Sequence, residues 1–261
     1  MNKYKIIKRK KIFNEYYLFR VLTLLLKIFL VNLISIKNER NLNNYISEIH
    51  LVIKGNGKQN ILSNEFNTNP SEVIVNGISK GNTCKKTCDL DEDINNVTIK
   101  FEEQIISCYH MFYGLQNIIE IDLSNFDASK VNNMEAMFYY CKNLEKINFG
   151  NINTSSVENM HSLFYQCENL ISIDLSNFDT SKVNNMDWMF GSCFNLKYLD
   201  LSNFNTSNVN NMYNMFYKCQ SLIYLNLNSF HLKNSVNMDS IFEFISSYVK
   251  ICANAQKIIN V

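Results

Sequence analysis

Leu170 to Asn195 reads LISIDLSNFDTSKVNNMDWMFGSCFN, and the chain restates this line on both sides. Met111, Met137, Leu163, Met189, Met215 and Ile241 each precede a phenylalanine, at Phe112, Phe138, Phe164, Phe190, Phe216 and Phe242, always 26 residues apart. Six in-register pairs without a slip make the chain a repeat protein before anything else. One copy cannot bury its apolar face alone, so neighbouring copies stack to close a shared core.

Within a unit, the first half follows L-x-x-I-x-L-x-x-F: Leu170, Ile173, Leu175 and Phe178, restated by Leu196, Leu199, Leu201 and Phe204. This is a leucine-rich-repeat skeleton, with a bulky residue where many such repeats place Asn or Cys. Its I-x-L pair points inward and leaves the residues between pointing outward, as a strand requires. The second half follows N-M-x-x-M-F-x-x-C. Met134, Met137, Phe138 and Cys141 have the 3, 4 and 7 spacing of one helix face, and Asn133, Asn159, Asn185, Asn211 and Asn237 stand where an N-cap belongs. The pattern predicts an α/β repeat solenoid, leucine-rich-repeat-like, with a parallel sheet on one side, short helices on the other and a small N-terminal β cap.

Four segments follow: residues 1–36 as a signal peptide or signal-anchor, 41–104 as the β-rich cap, 105–245 as the solenoid and 246–261 as a C-terminal cap. The first segment places Lys3, Lys5, Lys8, Arg9, Lys10, Lys11 and Arg20 ahead of an apolar run, Val21 to Ile36, the order of a secretory signal. The run is short for a spanning helix and carries Lys27. An amphipathic N-terminal helix on a cytosolic protein is the alternative. In the cap, Ser47–Ile53, Glu72–Val75 and Asn96–Phe101 read as strands, and Asn76-Gly77 as a hairpin turn.

Outward positions of the repeat strands form the candidate ligand face. They include Asp122, Asp174, Tyr198, Asp200, Tyr224 and Asn226. Asp174 and Asp200 fall on adjacent strands, and Tyr198 and Tyr224 are expected to stack beside them; tyrosine supplies contact area at low entropic cost. A merely solvated sheet face is the competing reading. Calcium between the aspartates would need more oxygen ligands than two carboxylates provide. Trp188 replaces Ala136, Ser162 and Asn214 at an outer helix position, half-exposed, with a ligand anchor as the minor alternative.

The ladder Cys141, Cys167, Cys193 and Cys219 reads as small buried hydrophobes, since helices 8–10 Å apart are too distant for disulfides. Cys84 and Cys88 in CKKTC suit a loop disulfide if the chain is exported and free thiols otherwise. Asn96, Asn153 and Asn205 open N-x-[ST] triplets, candidate glycosylation sites in a eukaryotic secretory route. His50, His110, His161 and His231 lack a catalytic constellation in the sequence, and there is no Gly-rich phosphate loop or H-E-x-x-H. A net charge of +1 gives no argument for nucleic acid. The chain reads as non-enzymatic, without metal or cofactor.

The units LSNFDASKVNNMEAMFYYCKNL, LSNFDTSKVNNMDWMFGSCFNL and LSNFNTSNVNNMYNMFYKCQSL resemble the 26-residue-repeat surface proteins of the BspA-like leucine-rich-repeat family, over about Ile105 to Phe242. That resemblance implies a secreted or cell-surface protein of a bacterium or microbial eukaryote, engaged in adhesion through a protein or glycan ligand. A membrane tether through the N-terminal apolar segment fits this reading, although no lipobox cysteine follows that segment and no C-terminal sorting signal is present. An intracellular repeat scaffold for protein–protein interaction is the alternative.

Overall fold

The computed structural model describes residues 47–231 and 235–253. The signal segment 1–36 and the end of the C-terminal cap lie outside the described residues. Those described belong to one compact unit.

The cap is built from β1 (Ser47–Lys54), β2 (Gly57–Asn60), β3 (Glu72–Val75), β4 (Ile78–Ser79), β5 (Thr87–Leu90) and β6 (Ile94–Phe101). β1 and β6 alternate strictly, with Ile49, Leu51, Ile53, Val97, Ile99 and Phe101 buried. That period of two fixes their antiparallel register, Ser47 opposite Phe101. Between β3 and β4, Asn76 and Gly77 both take positive φ, 50° and 81°, which a two-residue hairpin with the right twist needs. The cap is not a separate module. β1 pairs on its other side with β7 (Ile118–Asp122), the first strand of the repeats, and β7 pairs in parallel with β8 (Lys146–Asn148). One six-stranded sheet therefore runs β4-β3-β6-β1-β7-β8. Farther along, β9 (Tyr198–Asp200), β10 (Tyr224–Asn226) and β11 (Lys250–Cys252) make a parallel three-stranded sheet. The strand half of the rung between them contributes a single bridge, Ser172 to Tyr198. The interruption falls where Phe149 replaces the leucine of the other rungs and sets its ring edge-on against Phe164 and Phe178.

The expectation of short helices backing the sheet is wrong. Among the described residues the only helical element is a 3-10 turn at Gly81–Thr83, and the fold is mostly β and turn with mixed and antiparallel sheets. Each N-M-x-x-M-F-x-x-C half is a chain of tight turns. Ala136 and Tyr140 take positive φ, as do Ser162 and Gln166, Trp188 and Ser192, and Asn214 and Lys218. A left-handed residue every four positions is incompatible with a helix. Backbone donors alternate instead. Met137, Tyr139 and Cys141 donate within the rung, to Met134, Ala136 and Phe138. Met134, Ala136, Phe138 and Tyr140 donate to the next rung, to Asn159, His161, Leu163 and Tyr165.

The energetic reason is completeness. A two-turn helix leaves its first four N–H and last four C=O groups unpaired, nearly all that so short a segment owns. A turn ladder gives those groups partners one rung away. It also packs more tightly. Rungs hydrogen-bonded backbone to backbone stand about 4.8 Å apart, against the 8–10 Å between the axes of packed helices, and the rings Phe112, Phe138, Phe164, Phe190 and Phe216 stack between them with centroids 5.4–5.9 Å apart. The 3, 4, 7 spacing remains in the sequence because consecutive three-residue turns bury the same positions that a helix face would.

Side chains close the remaining valences. Asn133, Asn159, Asn185, Asn211 and Asn237 accept the N–H two residues on, as Asx-turns without a following helix. Their backbones bridge one another in a parallel ladder. The cysteine ladder does more than fill space: each Sγ–H donates to a phenylalanine carbonyl on the preceding rung, Cys141 to Phe112, Cys167 to Phe138, Cys193 to Phe164 and Cys219 to Phe190, at 3.1–3.2 Å. These thiols are free and fully buried, and burial pushes Cys141 and Cys219 up to about 12. Thr154, Thr180 and Thr206 form a second buried ladder. Each hydroxyl donates to a carbonyl of the next rung and accepts that same residue's N–H.

Candidate ligand-binding face

Across β6, β1, β7 and β8 the outward side chains stand in two rows. Register places Thr98, His50, Asp122 and Asn148 side by side, and Asn96, Val52, Glu120 and Lys146 in the row beside them. Together they line a hollow of about 440 Å³, in the size range of small-ligand sites. The antiparallel cap meets the parallel repeats here, and a register shift between Val52 and Ile53 marks the join.

The hollow is internally wired. His50 Nδ1 lies 3.0 Å from Thr98 Oγ1, and its Nε2 lies 3.3 Å from Glu48. Glu120 and Lys146 form an exposed pair at 3.7 Å. Burial would raise the Asp122 carboxyl, but the hydroxyl and N–H of Ser124, with Asn148 and His50, outweigh it and hold the group below its ordinary range. These groups stand over the paired strand backbone, because the alternating Leu51, Val97, Ile121 and Ile147 turn their side chains into the core, and Val52 is the one apolar side chain in the two outward rows.

Of the candidate face residues, Asp122 lies in this hollow, and Tyr198, Asp200, Tyr224 and Asn226 lie on the three-stranded sheet. Asp174 sits on the rung whose strand half has a single bridge, at Ser172. Tyr198 pairs in register with Tyr224, and Asp200 with Asn226. Tyr198 is 52% exposed, Tyr224 half-buried and Asn226 buried. The expected tyrosine stack is absent from the ring contacts of the described residues, which run along the turn side instead. The aspartates are already employed. Asp122, Asp174 and Asp200 each accept the N–H of the serine two residues on, at 2.8–2.9 Å, and Asn148 and Asn226 fill the same role. The Ser176 hydroxyl and N–H lower Asp174, and those of Ser202 lower Asp200.

Cys84 and Cys88 are joined as a disulfide, with Cα atoms 4.7 Å apart. Asn153 and Asn205 are exposed on the loops, where Oδ1 accepts both N–H and Oγ–H of Ser155 and Ser207. Asn96 lies on β6 and lines the hollow, so a glycan there would obstruct it.

Two features went unread in the sequence. Ser162, His161 and Asp187 gather: His161 Nδ1 lies 2.5 Å from Asp187, and Ser162 Oγ lies near the ring. The grouping lacks the geometry of a catalytic triad. Oγ is 3.2 Å from Nε2 and 3.5 Å from Nδ1, too evenly placed to lie along either lone pair, and Ser162 is buried. It is an ion pair between rungs, and the Asp187 carboxylate bonded to the ring raises the pKa of His161. The second is a strip of aromatic rings on the turn side, signalled in the sequence by the tyrosine after Met-Phe or Leu-Phe in Tyr113, Tyr139, Tyr165 and Tyr217. Among the described residues no group of His, Cys, Asp and Glu is arranged to hold a metal ion.

A surface-lined solenoid of this kind is defined by its rungs, and the family comparison falls on those rungs. Three overlapping matches, to residues 82–176, 106–197 and 141–254, are to the family described as Mycoplasma protein of unknown function, DUF285. They span more than half of the chain, and the chain belongs to this family. No curated protein and no solved structure gave a match.

Proposed function

We propose that the protein is a non-enzymatic recognition module, secreted or held at the cell surface, that binds a protein or glycan partner through its outward sheet faces. The observation that carries this is the hollow over β6, β1, β7 and β8, with hydrogen-bonding side chains fixed in register on the face of one sheet. A ligand meeting it encounters groups whose order is set by strand pairing, which lowers the entropic cost of binding. The likeness of the repeat line to BspA-like surface proteins and the Cys84–Cys88 disulfide, a bond that persists in oxidising compartments, support the exported location. Among the described residues no helix is long and apolar enough to cross a membrane; the candidate tether, Val21 to Ile36, lies outside them.

Protease treatment of intact cells producing the native chain tests the location. Loss of the solenoid from intact cells, or its recovery in the medium, supports the surface reading. A protected chain in the cytosol leaves the intracellular scaffold. For the face itself, Asp122→Ala with Lys146→Ala is expected to lower retention of the purified chain on its target surface at least tenfold without moving the unfolding temperature by more than a few degrees; unchanged retention removes the hollow from the mechanism.

A further inference from the structure

The turn side carries a second ordered surface. Tyr113, Tyr139, Tyr165, Trp188, Tyr217 and Phe244 form an unbroken strip along the solenoid, with successive centroids 4.8, 4.8, 5.2, 5.3 and 5.6 Å apart. The core does not require it, because the neighbouring column of phenylalanines already fills the interior. The strip rings are half-buried, and Phe244 is exposed.

Its continuity is maintained by a compensating pair. On the fourth rung the tyrosine position holds Gly191, where a Cβ would stand 2.7 Å from the Trp188 ring and 3.0 Å from that of Tyr165. Glycine clears the space, and Trp188, from three residues earlier in the same rung, fills the place of the missing tyrosine.

Three properties indicate what the strip suits. Flat contact between rings puts carbon atoms about 3.5–4.0 Å apart, so Tyr113 and Tyr139, 15° from parallel at 4.8 Å, are slid past one another and leave part of each face open, while Tyr139 and Tyr165 are tilted by 31° and the junctions at Trp188 and Phe244 are edge-on. Charge beside the strip is sparse: Lys142 pairs with Glu168 at 2.6 Å, and the Lys218 ammonium lies over the Tyr217 and Phe244 rings as a cation–π contact. One ammonium over the rings gives an anionic polymer no row of cations to follow. Finally, the rings recur once per rung along a line, matching a partner that is itself linear and periodic. Asn143, Asn169 and Asn195 recur at the same 26-residue step, four positions after Tyr139, Tyr165 and Gly191, and Asn143 already spends an amide N–H on the Gln116 carbonyl of the preceding rung.

We propose that this strip binds a neutral, hydroxyl-rich polysaccharide laid along the solenoid axis. The C–H faces of its pyranose rings rest on the open parts of the aromatic faces, and its hydroxyls meet the amides. This surface is distinct from the sheet hollow and does not depend on it.

The chain has a single tryptophan, Trp188, and it lies in the strip. The test uses the full chain with soluble neutral β-1,3-, β-1,4- and α-1,4-glucans in affinity electrophoresis, followed by Trp188 emission. At least one glucan is expected to retard the protein, shift the emission and shield Trp188 from acrylamide quenching. Tyr139→Ser with Tyr165→Ser is expected to weaken retardation at least tenfold, whereas Lys58→Ser, exposed on β2 of the cap and on neither surface, leaves it unchanged. No retardation by any of the glucans overturns the proposal, as does retardation with wild-type strength in the double variant. Unchanged quenching of wild-type Trp188 on glucan binding overturns it without recourse to a variant, and so does a protein ligand that occupies the strip while glucans do not.

Discussion

At the scale of single residues, the rungs are held by short polar side chains that close their own turns. Asp174, Asp179 and Asp200 each accept from a serine two residues on. The serine hydroxyl first, then its N–H, holds each carboxyl below the ordinary value of 3.8. The folded state therefore binds fewer protons than the unfolded chain just below that value. The stabilisation is fully present above the unfolded value and is lost as pH falls through the lowered folded one. The unfolding temperature is expected to fall as the solution is acidified below the ordinary carboxylate value. Asp174→Asn, Asp179→Asn and Asp200→Asn combined are expected to flatten that acid limb while leaving neutral-pH melting within a few degrees, because asparagine already closes the equivalent turns at Asn148, Asn153 and Asn226. Melting curves across the acid range read this directly. An acid limb as steep in the triple variant as in the wild type would remove the aspartates as its cause.

At the scale of the element, the turn ladder makes a distinction that helix propensity would reverse. Gln166 has φ of 57°, where a β-branched residue is strained by about 1 kcal/mol or more and glycine is not. Gln166→Val is expected to destabilise by at least that amount, and Gln166→Gly to be neutral or stabilising by up to about 1 kcal/mol, as read from denaturant midpoints. In a helix glycine would be the worse of the two. The 26-residue period, the buried columns and the strand halves were legible because burial leaves an apolar pattern in the sequence. The helix was misread because 3, 4 and 7 spacing records which side chains face inward, not the sign of φ between them. In the four rungs from Ala136 to Lys218 the positions that carry positive φ are Ala136, Tyr140, Ser162, Gln166, Trp188, Ser192, Asn214 and Lys218, and only asparagine among them advertises that conformation. The candidate face was legible in part. Alternation identified its outward residues, but the join that makes the hollow depends on β1 pairing with β7 across 60-odd residues of chain, which no local pattern encodes. The cysteine distance argument failed with the helices it assumed, although the thiols are free.

At the scale of the whole molecule, each rung contacts its two neighbours through equivalent groups, so stability approximates a sum of rungs and interfaces. Removing residues 171–196 joins Leu170 to Lys197 and sets two copies of the same surface against each other: Cys219 meets the Phe164 carbonyl in place of Cys193, and Thr206 stands one rung from Thr154. Gly191 and Trp188 leave together, so their complementary fit is not left half-made. The shortened chain is expected to unfold in one transition, at a lower temperature and with a denaturant dependence reduced in proportion to the buried surface lost. Removing 171–183 instead places a strand half against a turn half, orphans the Asn and Thr ladders on both sides, and is expected to abolish cooperative unfolding. Far-UV circular dichroism of the intact chain is expected to lack a helical signature throughout. A cooperative transition in the half-rung deletion would mean that the rungs are not the unit of this fold, and that the ladders of carbonyl, thiol and hydroxyl between them contribute little to holding it together.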